Sequence, residues 1–278
     1  MPDSSTRMAG PIIFECRDSV AYLTLNRPQS GNAIDEALAR CLLDAVRRAA
    51  GDATVRCVVV QGEGRMFCAG GDVKALHAAG EQRPALLRAI LAHLHLAIAA
   101  LAQMDRPVVT AVHGPAAGAG VALAAVGDIV LASPEAHFTM AYSRIGLTPD
   151  AGVTWLLPRL IGVRRAQELA LTNRRVSALE AESMGLITRV VPPGELAASV
   201  DDLARQLVDS ASGALGATKR LLRMSGCSGL QEMLDAECEQ IACQGGTGES
   251  IEGFAAFAER RTPNFRGIAH GAGSDGIR

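Results

Sequence analysis

Three short, almost uninterrupted apolar runs, at 57–60, 107–112 and 129–132, constrain this chain more than any other feature. A strand with no polar alternation has no face to give to water. Each must be covered on both sides, as in a parallel sheet flanked by helices. Helical periods fill the intervals, over 34–50 with Asp35 placed to cap, over 73–79 and over 85–104. Residues 11–16 and 20–25, separated by Arg17-Asp18-Ser19, read as a hairpin. The chain is therefore α/β, built from successive β-α units. Beyond Val191 the strand signals stop, and 195–215, 217–224, 230–241 and 250–261 read as helices. We expect a core over 11–195, a helical region over 196–266 and a disordered tail over 267–278.

Composition narrows the partners. Aromatic residues make up only 3% and Trp155 is the sole tryptophan, so the core must be assembled from Ala, Val, Leu and Ile. A formal charge of −2 gives no reason to expect nucleic acid or an anionic membrane. The seven cysteines form no CxxC pair and have no histidine cluster beside them, so no metal site is expected. Reduced thiols in a cytoplasm are the simplest reading, and the opening MPDSSTRMAG lacks the apolar run of a signal peptide. The most apolar long segment, 86–101, carries Arg88, His93 and His95 and reads as a buried helix rather than a membrane span.

Two glycine-rich segments concentrate the backbone freedom that ligand sites use. One, 62–72, follows the first apolar strand. The other, 113–120, follows the second. Small residues at a helix entrance leave bare N–H groups, which favour negative charge. The dinucleotide pattern fails, because Leu123 stands where a third small residue is needed, and neither segment ends in Gly-Lys-Ser/Thr. Taken singly, each reads as tight strand–helix packing.

Together the motifs are more specific. Gly64-Arg65-Met66-Phe67-Cys68-Ala69-Gly70-Gly71-Asp72-Val73-Lys74 resembles the signature of the crotonase, or enoyl-CoA hydratase/isomerase, superfamily. So do Leu25-Asn26-Arg27-Pro28 with Asn32-Ala33, and Pro107-Val108-Val109-Thr110-Ala111-Val112-His113-Gly114 leading into Ala116-Ala117-Gly118-Ala119-Gly120. Gly146-Leu147-Thr148-Pro149-Asp150-Ala151-Gly152 and the ending around Glu252, Phe254, Arg260 and Phe265 follow in family order. The likeness runs from about residue 12 to 266 and is nearest in look to isomerases of the phenylacetate-pathway type.

The resemblance implies a crotonase-like spiral of β-β-α units with a C-terminal helical region that trimerises, giving a homotrimer or hexamer. It implies an acyl-CoA thioester as substrate, with coenzyme A as part of the substrate and no separate cofactor. Two backbone N–H groups, at Gly71 and Ala119, would form an oxyanion hole for an enolate-like oxygen. Ala69, Asp72 and Val73 would lie along the adenine and pantetheine path. Arg27 and Arg260 would meet the CoA phosphates, Arg260 from a neighbouring subunit.

The chain departs from the hydratase pattern where its two glutamates would stand, with Ala122 and Tyr142 in their places. Hydration needs a base for water and an acid for the α-carbon. Ala122 is neither, and Tyr142 with an ordinary pKa of ~10 is a poor base. One carboxylate remains in the expected region, Asp150, which reads either as a helix N-cap or as the catalytic acid–base group. Tyr142 either lines the acyl pocket or orients Asp150. An enoyl-CoA isomerase with Asp150 as single base is the leading reading. The alternatives are a hydratase with an atypical active site, an aryl-CoA dehalogenase, and a non-catalytic CoA- or RNA-binding relative. His113 has no triad partner, and His93 and His95 read as packing or interface residues.

Overall fold

A computed structural model describes residues 10–268. The chain opens with the antiparallel pair β1 (Ile12–Arg17) and β2 (Val20–Leu25). Helix α1 (Glu36–Gly51) follows, and the Asp35 carboxylate accepts from the Leu38 N–H at 2.8 Å to cap it. Three β-then-helix turns come next. β3 (Cys57–Gly62) leads to α2 (Val73–Ala78) and α3 (Arg83–Gln103). β4 (Val108–Val112) and β5 (Ala116–Ala117) lead to α4 (Ala119–Ala125). β6 (Ile129–Ala132) and β7 (His137–Thr139) lead to α5 (Val153–Ile161) and α6 (Val163–Thr172). β8 (Val176–Ser177), α7 (Ala178–Met184) and β9 (Arg189–Val190) are followed by four helices: α8 (Leu196–Asp209), α9 (Ser212–Met224), α10 (Leu230–Gly245) and α11 (Gly248–Glu259).

The large sheet has the order β1-β2-β3-β4-β6-β9 and is parallel beyond the first pair; β5-β7-β8 form a second sheet. A one-residue bridge from Cys68 to Ala116 extends the second sheet toward the first glycine segment. Each turn thus lays one stretch of chain in each sheet before its helix, which is the β-β-α spiral anticipated above. The strands alternate between two cores, as a period of two requires. Val58, Val60, Val108 and Val112 face the main core with α1 and α3. Cys57, Val59, Val109 and Ala111 face a second cluster closed by Val200, Ala204 and Val208 of α8. Both faces of the sheet are covered, which is why these strands read as continuous apolar runs.

Two helical expectations need correction. The segment 86–101 is a helix, but only one side of it is buried, through Ile90, Leu94, Ala97, Ile98 and Leu101. His95, Leu96 and Ala99 lie on an exposed side. By length and composition α3 with the turn before it is apolar enough to cross a membrane, yet its buried side packs into the main core. The second correction concerns 195–215, which is broken at Ser210-Ala211 rather than continuous. Gly216 does not interrupt α9; a Cβ there would stand 2.8 Å from the Asp105 backbone oxygen, so glycine serves a close approach. The break is held by Arg56, 4% exposed, which donates to the Val208 carbonyl at 2.9 Å and the Ser210 carbonyl at 2.8 Å.

All seven cysteines are unpaired thiols. Residues 269–278, most of the tail expected to be disordered, lie outside the described residues.

Candidate active site

Asn32 organises the first glycine segment. It is fully buried, sits in the left-handed region at φ 57°, and its amide donates to the Glu63 carbonyl (2.9 Å), the Met66 carbonyl (2.9 Å) and the Phe67 carbonyl (3.1 Å). Its Oδ1 accepts from the Arg27 N–H at 2.8 Å. The segment is then stitched to its neighbours by backbone. Ile34 N–H donates to the Gly70 carbonyl at 2.7 Å, and Asp72 N–H to the Ile34 carbonyl at 3.0 Å. On the other side, Ala117 N–H donates to the Cys68 carbonyl at 2.9 Å.

The two glycine segments touch backbone to backbone. A Cβ on Gly120 would fall 2.4 Å from the Cys68 carbonyl oxygen, and one on Gly70 would fall 2.6 Å from that of Ala117 and 3.3 Å from the Ala119 nitrogen. No side chain fits at either position. Among the described residues, the Gly71 and Ala119 N–H groups have no protein acceptor. Ala119 opens α4, where the first N–H groups of a helix lack intrahelical partners, and it is 3% exposed.

Asp150 stands beside this pair of segments. The Tyr142 hydroxyl donates to Asp150 Oδ1 at 2.6 Å, and a Cβ on Gly118 would lie 3.8 Å from Tyr142 Cζ. Asp150 does not cap α5: Gly152 holds that position with φ 77° and no side-chain hydrogen bond. Burial pushes the Asp150 carboxyl above the usual carboxylate range, partly offset by the Tyr142 hydroxyl and the His95 imidazole. Tyr142 is itself pushed up, first by burial and then by the Asp150 charge. The neighbourhood thus holds one carboxyl that gives up its proton reluctantly. Ala122 is fully buried in α4 and offers only a methyl.

His95 reaches this site and was not anticipated there. Its Nε2 accepts from the Ala151 N–H at 3.3 Å, with Ala151 in the left-handed region at φ 52°. Nothing in the local sequence marks it. A cavity of about 590 Å³ opens from this point between α3, α5 and α9, lined by His95, Ile98, Ala151, Trp155 and Met224 among others.

The other expected residues are placed as follows. Asp72 caps α2 by accepting from the Ala75 N–H at 3.1 Å. Burial acts to raise its carboxyl, but backbone hydrogen bonds and Arg27 outweigh that and hold it low. Arg27 pairs with Asp72 at 3.2 Å and with Asp35 at 3.1 Å, so its guanidinium already has two carboxylates. Val73 is half exposed, and Ala69 donates its N–H to the Gly31 carbonyl at 2.9 Å. Arg260 ends α11 in the left-handed region, and its exposed side chain forms no hydrogen bond or ion pair among the described residues. Cys68 is fully buried, with its thiol pushed up to about 12 by burial, which makes it packing rather than a nucleophile.

A spiral α/β fold that presents two uncommitted N–H groups beside a lone half-buried carboxyl defines a class of site rather than a reaction. Comparison with known proteins supplies the family. The family description "Enoyl-CoA hydratase/isomerase" matches residues 15–268. The 1,2-epoxyphenylacetyl-CoA isomerase of Escherichia coli K12 is 37% identical over 258 residues, covering 92% of this chain and 98% of that protein. A protein named probable enoyl-CoA hydratase from Rhodobacter capsulatus is 38% identical over 260 residues, with the same coverage. The crystal structure of an enoyl-CoA hydratase from Polaromonas sp. JS666 superposes with a TM-score of 0.87 at 33% identity, over 91% of this chain and 98% of that one. The chain belongs to the enoyl-CoA hydratase/isomerase family, and its fold is crotonase-like.

Proposed function

We propose that this chain is an acyl-CoA isomerase that converts a 3-enoyl thioester, or a related ring isomer, to its 2-enoyl form with Asp150 as the only acid–base group. The observation that supports this most is a single raised carboxyl, held by Tyr142, next to two N–H groups without acceptors. A thioester α-proton is weakly acidic, so its removal depends on stabilising the enolate oxygen. Two oriented donors at Gly71 and Ala119 would do so, and losing one such donor typically costs about 10²–10³ in rate. Asp150 takes the proton from C2, the double bond moves into conjugation, and Asp150 returns the proton at C4. Tyr142 positions the carboxylate through its hydroxyl. No metal or cofactor enters these steps.

The hydratase reading needs a second acid–base group, and Ala122 does not supply one. Binding of the CoA moiety falls to Ala69, Asp72 and Val73. Arg27 meets a phosphate only by exchanging one of its carboxylate partners, and Arg260 acts across a subunit boundary in a trimer or hexamer. The apolar side chains left bare on α10 and α11 support such assembly. A cytoplasmic location accords with the unpaired thiols.

NMR of the protein with 3-hexenoyl-CoA in D₂O tests the reading. Conjugated 2-enoyl product with deuterium incorporation is expected, and Asp150→Asn is expected to slow it by about 10²–10⁴-fold. Unchanged turnover in Asp150→Asn would remove Asp150 from the mechanism.

A further inference from the structure

The cavity that begins at His95 and Ala151, the residue after Asp150, is also lined by Arg223, an arginine that the isomerisation does not use. Its wall on α3 is the stripe from His95 through Ala99 to Gln103, which spans about 12 Å of helix at ~1.5 Å per residue. Ile98, Trp155 and Leu156 give the cavity an apolar lining. At the far end stands Arg223 of α9. Its Nη1 donates to the Ala102 carbonyl at 3.1 Å, which pins the guanidinium to the last turn of α3. Its Nε and Nη2 have no partner among the described residues.

Arg159 converges on the same corner. It stacks 4.0 Å above the Trp155 ring and donates to the Trp155 carbonyl at 3.1 Å. Its Nε lies 3.7 Å from where a Cβ on Gly226 would stand, in the turn just after Arg223. Neither arginine has an ion-pair partner among the described residues. The nearby carboxylates are taken, Asp128 by Lys219 at 2.7 Å and Asp105 by Arg220 at 2.6 Å. Arg223 lines the cavity and Arg159 stacks on its Trp155 wall; both are solvent-exposed with free donors, a pairing suited to a planar anion at the cavity mouth.

We propose that this corner binds a carboxylate, and that the preferred substrates are medium-length acyl-CoA thioesters with a terminal carboxyl group. The proposal rests on the reading that the acyl group enters the cavity beside Asp150, and it adds what stands at the group's other end. The apolar stripe takes the methylene chain. Arg223 and Arg159 take the terminal carboxylate.

Calorimetric titration with saturated thioesters of matched length, octanoyl-CoA and suberoyl-CoA, tests it without turnover. Suberoyl-CoA is expected to bind about tenfold more tightly, equivalent to ~1.4 kcal/mol. Arg223→Leu is expected to bring the two to near parity, and Arg159→Leu to narrow the gap part of the way. The ratio is taken within each variant, so a loss of folded protein does not mimic the result. Equal binding in the unmodified protein, or a preference that survives both substitutions, overturns the proposal and leaves the isomerase reading standing. Tight binding of suberoyl-CoA without double-bond migration in 3-hexenoyl-CoA overturns the isomerase reading alone. No binding of either thioester overturns both.

Discussion

The crossing of the two glycine segments and the pair α10–α11 are built on opposite terms. At the crossing, the groups apart from the Gly71 and Ala119 N–H donors are met by other parts of the same chain: Asn32 holds three carbonyls, Gly120 lies against the Cys68 carbonyl, and Cys68 and Ala122 are fully buried. In α10 no residue is buried, and Leu230 (77% exposed), Ile241 (74%), Phe254 (74%) and Phe257 (85%) leave apolar surface bare along α10 and α11. The contrast shows where a single chain is self-sufficient. The crossing can set atoms to within tenths of an ångström because its neighbours come from the same fold. The terminal helices leave several large apolar side chains bare, the surface that the proposed assembly would cover.

Four variants sharpen or break this contrast. The largest effect is expected from Asp150→Asn, which is set to lose turnover as described while the fold gains. The raised carboxyl means that the folded state holds its proton more tightly than the unfolded chain does. Stability therefore falls as pH rises from the unfolded pKa through the folded one, and the full cost is present above both. Asp150→Asn should melt above the unmodified protein at neutral pH, and the gap should close below the ordinary carboxylate range. The same shift places the acid limb of the rate profile above the ~3.9 of an unperturbed aspartate.

Arg56→Ala comes next. It removes both donors that fasten β3 to the α8–α9 break, at a cost of about 3 kcal/mol, to be read by denaturant unfolding. Gly120→Ala drives a methyl against the Cys68 carbonyl and should cost about 1–3 kcal/mol, with turnover lost in the same variant as the two segments part. The smallest change in stability is expected from Phe254→Ser with Phe257→Ser, within ~0.5 kcal/mol for the isolated subunit. That double variant should still weaken assembly in sedimentation velocity. A large loss of subunit stability instead would show that α11 belongs to the same packed unit as the crossing.

Much of the candidate site is legible from residue order, because glycine and small residues after a buried strand have few other uses in combination. The resemblance to the family is what puts the backbone donors at Gly71 and Ala119 within 62–72 and 113–120, and, with Ala122 and Tyr142 standing where the family's glutamates would, what points to Asp150. Capping and catalysis could not be told apart from the order of residues, since Asp-Ala-Gly before a helix suits both. The fold removes the capping alternative by placing Gly152 at the cap, with Asp150 turned toward Tyr142. His95 had no local signal at all, because its partner is the backbone of Ala151, 56 residues away. Arg27 was expected to be available to phosphate and instead lies between Asp35 and Asp72.

The amino-acid sequence alone determined the buried parallel strands, the helices between them, the change to an all-helical texture beyond residue 191 and the two glycine segments. Each of these follows from periodicity or from backbone freedom, which are local properties of the chain. Only the tertiary structure decided that Cys68 pairs with Ala116, that α3 buries one side and opens the other to a cavity, and that Arg56 reaches across to the α8–α9 break. These depend on which distant segments meet, and a pairing energy between distant residues leaves no period in the sequence to read.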